Sequence, residues 1–116
     1  KWTRVFEPRA PLLFRYSAIR FNSHRIHYDR DYCTKIEKLP GLVVQTSLIC
    51  QLFIEMCRSE VPNHELNFFG FKTARQTYDT GNFTIAGTPS SDGREATLWS
   101  LDPNGNVSMT ATAKFK

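Results

Sequence analysis

The chain has 116 residues, 41% hydrophobic and 13% aromatic, which is enough for one compact domain with a sizeable core and too little for two. Lys+Arg 15 against Asp+Glu 11 gives a formal net charge of +4 from scattered basic residues, which implies neither nucleic acid nor a membrane surface; a phosphate-bearing ligand or an acidic protein partner is compatible with it. No apolar run approaches the ~18 residues of a membrane span, so a soluble protein is expected.

Cys33, Cys50 and Cys57 are an odd number without the paired spacing of a zinc knuckle, which predicts reduced thiols and an intracellular location. The chain opens at Lys1 with neither a Met nor an apolar signal run, as expected of an excised piece or of a processed fragment whose targeting segment is absent.

Trp2 to Glu7 alternates and carries β-branched and aromatic residues, predicting a first strand ended by Pro8 and Pro11. From Leu12 to Arg20 the apolar positions Leu12, Leu13, Tyr16 and Ile19 fall at helical spacing, with Pro11 suited to the first turn. The next nine residues, Phe21-Asn22-Ser23-His24-Arg25-Ile26-His27-Tyr28-Asp29, gather an amide, two imidazoles, a guanidinium, a phenol and a carboxylate. No amphipathic helix or strand needs such a run. If it is one turn of helix, His24 and His27 share a side and can both face a cleft; otherwise these are solvated loop residues. Histidine is the side chain best suited to moving protons near neutral pH. Two imidazoles without a third ligand make an incomplete metal site, so neither a metal nor another cofactor is expected. Tyr28 to Cys33 predicts a further turn, and Lys35 to Gly41 a charged loop ending in Pro40-Gly41.

Leu42 to Arg58 is nearly hydrophobic all round, which predicts a long helix buried on most of its circumference. Cys50 and Cys57 read as small buried hydrophobes within it. Gln45 is the anomaly, lying on the helical line of Ile49, Leu52 and Met56, so that its amide points inward at the helix N-terminus either as a polar tip in a cleft or as an extra cap. Thr46 and Ser47 offer capping hydroxyls, and free N–H groups at that end suit an oxygen with partial negative charge.

After Pro62 the pattern changes to strands. Leu66 and Phe68, then Phe69 and Phe71, are expected on opposite faces around a bulge at Gly70. Asn82 to Thr88, Glu95 to Leu101 and Val107 to Phe115 follow, separated by the turns Ser90-Ser91-Asp92-Gly93 and Asp102-Pro103-Asn104-Gly105-Asn106. The last strand sets Val107, Met109, Ala111, Ala113 and Phe115 against Ser108, Thr110, Thr112 and Lys114, so one face is buried and its alanines leave room for a thick helix. The order predicts an α+β domain in which an antiparallel sheet wraps a central helix.

The segments FRYSAIRFNSHRIHYDRDYC and PGLVV, supported by FFGFKTARQTYDTGNFTI and ATLWSLDPNGNVSMTATAKF, resemble the MaoC-like hotdog dehydratases and hydratases. The nearest branch resembles the mitochondrial-type 3-hydroxyacyl-thioester dehydratases and their mesaconyl-coenzyme A hydratase relatives. The resemblance implies a hotdog fold, a single domain over residues 1–116 that is the catalytic half of a longer or two-hotdog assembly, and dimerisation. It also implies reversible dehydration of 3-hydroxyacyl thioesters carried on acyl carrier protein or coenzyme A. A mitochondrial matrix location is implied for a eukaryotic source and a cytoplasmic one otherwise.

The family motif runs roughly Gly-Asp-x-Asn-Pro-(aliphatic)-His. Asn22 takes the Asp position, His24 the Asn position, Arg25 the Pro position, Ile26 the aliphatic position and His27 the His position. An amide at Asn22 cannot be a general base, so either His27 works with water oriented by Asn22, or His24 takes part of the acid–base task. A second departure is Gln45-Thr46-Ser47, where relatives usually carry His-Gly and a further residue.

The catalytic set implied by the resemblance is therefore His27, Asn22 and His24, with Gln45, Thr46, Ser47, Arg25 and Tyr28 binding substrate. Arg25 and Arg30 either meet pantetheine phosphates or, the preferred reading, brace Asp29 and Asp31. A hotdog thioesterase and a non-catalytic acyl-binding hotdog are the rival readings, the first needing a carboxylate placed to activate water at the carbonyl.

Overall fold

In a computed structural model, which describes residues 1–116, the elements follow the predicted order. Strand β1 (Trp2–Phe6) and helix α1 (Ala10–Ile19) are followed by a 3-10 turn (Arg25–His27) and a π turn (Tyr32–Ile36). Helix α2 (Thr46–Glu60) then leads into β2 (Leu66–Thr73), β3 (Phe83–Pro89), β4 (Glu95–Leu101) and β5 (Val107–Phe115). The strands form one antiparallel sheet in the order β1-β3-β4-β5-β2.

The core lies between this sheet and α2. Leu48, Ile49, Phe53, Met56 and Cys57 of α2 are buried with Ile85, Leu98, Met109, Ala113 and Phe115 of the sheet. The alternation of β5 works as predicted from Met109 onward, but a register shift between Ser100 and Leu101 of β4 leaves Val107 exposed and Ser108 buried. Ser108 finds its partners there in the hydroxyls of Ser100 at 2.7 Å and Thr77 at 3.0 Å. Gly87 leaves room for its neighbours: a Cβ there would lie 2.7 Å from Leu98 and 2.9 Å from Trp2 on the flanking strands, and 3.3 Å from Met56 of α2.

Three sequence expectations change. Helix α2 begins at Thr46 rather than Leu42, because Leu42–Val44 forms a buried extended strap. Val43 bridges Tyr78, and Val44 N–H donates to the Thr77 carbonyl at 2.8 Å, so these β-branched residues satisfy their backbone laterally instead of helically. In β2 the bulge falls between Leu66 and Phe68, not at Gly70. Phe69 and Phe71 therefore pair with Ala113 and Ala111 on the helix side of the sheet, and Phe68 pairs with Lys114 on the other. On α1 the buried residues are Leu13 and Ser17, while Leu12 and Ile19 face out. No helix is long and apolar enough to cross a membrane.

Candidate active site

Helix α1 delivers the polar run through a tight stop. The N–H of Phe21 donates to the Ala18 carbonyl and that of Asn22 to the Ser17 carbonyl, the paired bonds of a Schellman end, and Phe21 takes the left-handed conformation (φ 54°) where glycine usually sits. Asn22 then folds back on the chain, its side-chain oxygen accepting the His24 N–H at 3.1 Å. The 3-10 turn that follows sets the rings of His24 and His27 edge to face, with centroids 5.9 Å apart.

The two histidines have different surroundings. His24 is exposed, whereas His27 is buried and its Nδ1 lies 2.7 Å from the Val43 carbonyl of the strap. A carbonyl can only accept, so Nδ1 carries the proton and Nε2 of the neutral ring keeps a lone pair. Burial lowers the His27 pKa below its ordinary 6.5; the hydrogen bond to Val43 opposes this, and the nearby His24 adds a smaller lowering. At neutral pH the ring is thus a neutral base with its tautomer fixed.

His27 borders a cleft of about 410 Å³ together with Asn22, Gln45, Thr46, Ser47 and Cys50, with Phe71 of β2 as a further wall. The cleft opens at the N-terminus of α2. The first in-helix bonds there are made by Leu48 and Ile49 N–H to the Gln45 carbonyl, so the N–H groups of Thr46 and Ser47 have no protein acceptor. Such N–H groups, with the helix dipole behind them, favour a partly negative oxygen. No Asp or Glu lines the cleft.

The structure brings together Asn22, His27, Gln45, Thr46 and Ser47, and places the other candidates around them. Thr46 and Ser47 make no side-chain cap; they are exposed first-turn residues of α2. Nor is Gln45 a side-chain cap. It is 2% exposed, and its amide nitrogen donates to the Leu13 carbonyl at 2.8 Å and to Ser17 Oγ at 2.9 Å, tying the start of α2 to α1. Tyr28 lies outside the cleft: its hydroxyl donates to the Ser23 carbonyl and its ring meets Phe14, in a neighbouring apolar pocket that also holds Asn22. Arg25 is committed to Asp29 at 2.9 Å and stacks on Tyr32, and the hydrogen bonds from Tyr32 N–H and Arg25 hold the Asp29 carboxyl below its usual range. Arg30 braces Asp79 rather than Asp31, because Asp79 presents a buried carboxylate while Asp31 points to solvent beside Lys35.

All three cysteines are free. Cys33 is buried and donates to the Ile26 carbonyl, and burial pushes its thiol up, as it does for Cys50 and, to about 11, for Cys57. Asp79, Cys50 and Phe71 are absent from the residues expected at the site. Asp79 is remote in sequence from the polar run, and the other two sit in apolar patterns that give no sign of facing a cleft.

Comparison with solved structures shows the fold. An (R)-hydratase from A. caviae superposes with a TM-score of 0.85 at 13% identity, over 99% of this chain and 92% of that one. The MaoC-like dehydratase from Rhodospirillum rubrum gives 0.71 at 13% identity, covering 97% and 86%. The chain has the hotdog fold.

In sequence, the mesaconyl-C(4)-CoA hydratase of Chloroflexus aurantiacus is 36% identical over 113 residues, 97% of this chain and 39% of that protein. The mitochondrial hydroxyacyl-thioester dehydratase type 2 of Schizosaccharomyces pombe is 40% identical over 68 residues, 59% of this chain and 23% of that protein. The chain thus spans well under half the length of these relatives. Residues 1–79, from β1 through the strap and β2 into the loop that follows it, match the profile of the hydroxyacyl-thioester dehydratase type 2 family, and the chain belongs to that family.

Proposed function

We propose that this chain catalyses the reversible removal of water from 3-hydroxyacyl thioesters, on coenzyme A or acyl carrier protein. The observation that carries the reading is the neutral His27, buried at the cleft with Nδ1 held by the Val43 carbonyl and Nε2 left without a protein partner. In the dehydration direction, Nε2 takes the C2 proton. The electron pair left on C2 delocalises into the thioester carbonyl, whose oxygen is stabilised by the free N–H groups of Thr46 and Ser47. The C2=C3 bond then forms as the C3–O bond breaks. The hydroxyl, held by the Asn22 amide, leaves as water with a proton from the His27 imidazolium or from His24.

A cleft without a carboxylate favours this reading over a thioesterase, which needs one to activate water at the carbonyl. The relative from C. aurantiacus is named a hydratase and that from S. pombe a dehydratase, which supports the same reaction class. For pairing, the free edge of β2 carries Phe68 and Phe71, both about half exposed, and Phe71 also walls the cleft. A second copy, or a related hotdog half, joins along an edge of the sheet, as supported by structural neighbours that are two-subunit complexes, ChsH1-ChsH2 and HadBC from Mycobacterium tuberculosis. From a eukaryotic source the protein works in the mitochondrial matrix, a reading supported by the S. pombe relative, whose name says mitochondrial; otherwise it works in the cytoplasm.

The test is hydration of a short 2-enoyl thioester followed by loss of the conjugated-alkene absorbance, beside a free-thiol assay. Loss of absorbance without thiol release is expected. Thiol release without hydration indicates the thioesterase, and neither signal indicates an acyl-binding hotdog.

A further inference from the structure

We infer that Asp79 is a positioning residue for His27, acting through the strap whose carbonyl holds the imidazole. The Asp79 side chain is only 4% exposed although it lies in the loop between β2 and β3, far in sequence from the polar run. One carboxylate oxygen accepts the Leu42 N–H at 2.9 Å and an Arg30 N–H at 3.2 Å; the other accepts a second Arg30 N–H at 2.6 Å. The backbone N–H of Asp79 donates in turn to the Leu42 carbonyl at 2.9 Å. Leu42 is therefore gripped by one residue through both its N–H and its C=O.

The next residue, Val43, carries the consequence. Its N–H donates to the Ile26 carbonyl at 2.8 Å, and its own carbonyl accepts the His27 Nδ1–H at 2.7 Å. The strap has no helix or sheet ladder of its own; its lateral bonds run to Ile26, to Thr77 and to Asp79. Of these anchors the Asp79 carboxylate is the only side chain. The approach depends on Gly41, where a Cβ would stand 2.6 Å from the Asp79 carboxylate oxygen. Arg30 closes the circuit: it lies three residues after His27, between the 3-10 turn and the π turn, so the carboxylate ties the strap to the chain that directly follows the imidazole. Charge-assisted bonds at a buried carboxylate are among the stronger ones available for fixing backbone geometry.

A displaced Val43 carbonyl has two effects on His27. The ring loses the acceptor that selects the Nδ1–H tautomer, and Nε2 moves relative to Asn22 and the α2 N-terminus. Small displacements of a reacting group cost rate without removing any group that touches substrate.

The catalytic part rests on the dehydratase reading above, so the test needs a readout that does not. In Asp79→Leu, of similar shape but with no oxygen to accept the Leu42 N–H, the nitrogen-15 spectrum of the His27 ring should show the Nε2–H tautomer becoming populated. Hydration kcat should fall about 10- to 100-fold with KM within about twofold, since misplaced groups cost of that order. Arg30→Gln leaves the grip on Leu42 in place; its tautomer should stay as in the wild type and its kcat should fall less. An Asp79→Leu protein that folds, by circular dichroism, and keeps both the wild-type tautomer and kcat overturns the inference, as does a fall in kcat with the tautomer unchanged. A changed tautomer with full turnover upholds the clamp and overturns the role given to His27. If Asp79→Leu fails to fold, Asp79→Glu, which keeps the charge but displaces the oxygens, takes its place with the same criteria.

Discussion

The sheet from β3 to β5 and the chain from Phe21 to Gln45 keep their shapes by different means. In the sheet each residue is fixed by its strand neighbours and by burial against α2, so order is repetitive and shared among many equivalent contacts. From Phe21 to Gln45 there is one 3-10 turn, one π turn and an extended strap, and position is set by single, unlike bonds: His24 N–H to Asn22, His27 to Val43, Leu42 to Asp79. A shared order absorbs the loss of one member as a stability cost. An order made of single bonds passes each loss on as a misplaced group, which is why damage to the two regions should read out on different assays.

The largest expected effect sets activity against stability most cleanly. His27→Ala should leave the circular dichroism spectrum unchanged and lower hydration of a short enoyl thioester by ~10²–10⁴-fold, the usual cost of losing a positioned acid–base group. His24→Ala should fall less, because His24 is exposed and is not among the residues lining the cleft. Near-wild-type turnover in folded His27→Ala would remove the dehydratase mechanism. The converse substitution is Phe53→Ala in α2, where a fully buried ring packs in the core with its face tilted 45° to that of Phe69. Its loss should cost about 3–5 kcal/mol in a urea titration, while turnover per folded molecule changes little. Were activity per folded molecule to fall as far as stability, the two regions would not be separable.

The same contrast explains what could be read in advance. The bounds of β4 and β5 are legible because alternation is a local property of the chain, failing only at Val107 and Ser108, and the family motif singles out Asn22 and His27, which share a cleft. The start of α2 was not, since Leu42–Val44 has apolar residues that fit a helix as well as a buried strap; the choice is made by Thr77, Tyr78 and Asp79, over thirty residues later. The bulge at the start of β2 was misplaced for a related reason, as register in an edge strand is decided by its partner β5. Gln45 was correctly read as inward, but through helical geometry it does not have: its backbone is extended (φ −60°, ψ 132°), and its burial comes from the bonds to Leu13 and Ser17.

A subtler test of the single-bond region uses pH. Burial chiefly, with the His24 charge adding to it, holds the His27 pKa below 6.5, so the base remains neutral at pH values where an ordinary histidine is protonated. The acid limb of kcat/KM for dehydration should therefore lie below pH 6.5, and in His24→Ala it should move upward as that Coulombic contribution disappears. The sign for stability follows from the same shift. The unfolded chain binds the proton more readily, so the His27 contribution is present above pH 6.5 and is lost as pH falls through the lower folded value. An acid limb in His24→Ala at or below the wild-type position would break the link between the two rings.

The smallest expected effect is a gain. Phe21 holds φ 54° at the end of α1 and its side chain is 95% exposed, so it bears left-handed strain without recovering it through burial in this chain. A non-glycine residue in that conformation costs about 1–2 kcal/mol, and glycine there gives back about 0.5–1 kcal/mol through its greater unfolded freedom. Phe21→Gly should therefore stabilise the isolated chain by up to about 1 kcal/mol, read as a higher urea midpoint at unchanged slope. The bonds of the Schellman end are backbone bonds and survive the change, so Asn22 keeps its place. A lower midpoint would mean that the ring is buried in solution, and repeating the titration across protein concentrations would show whether a second copy covers it.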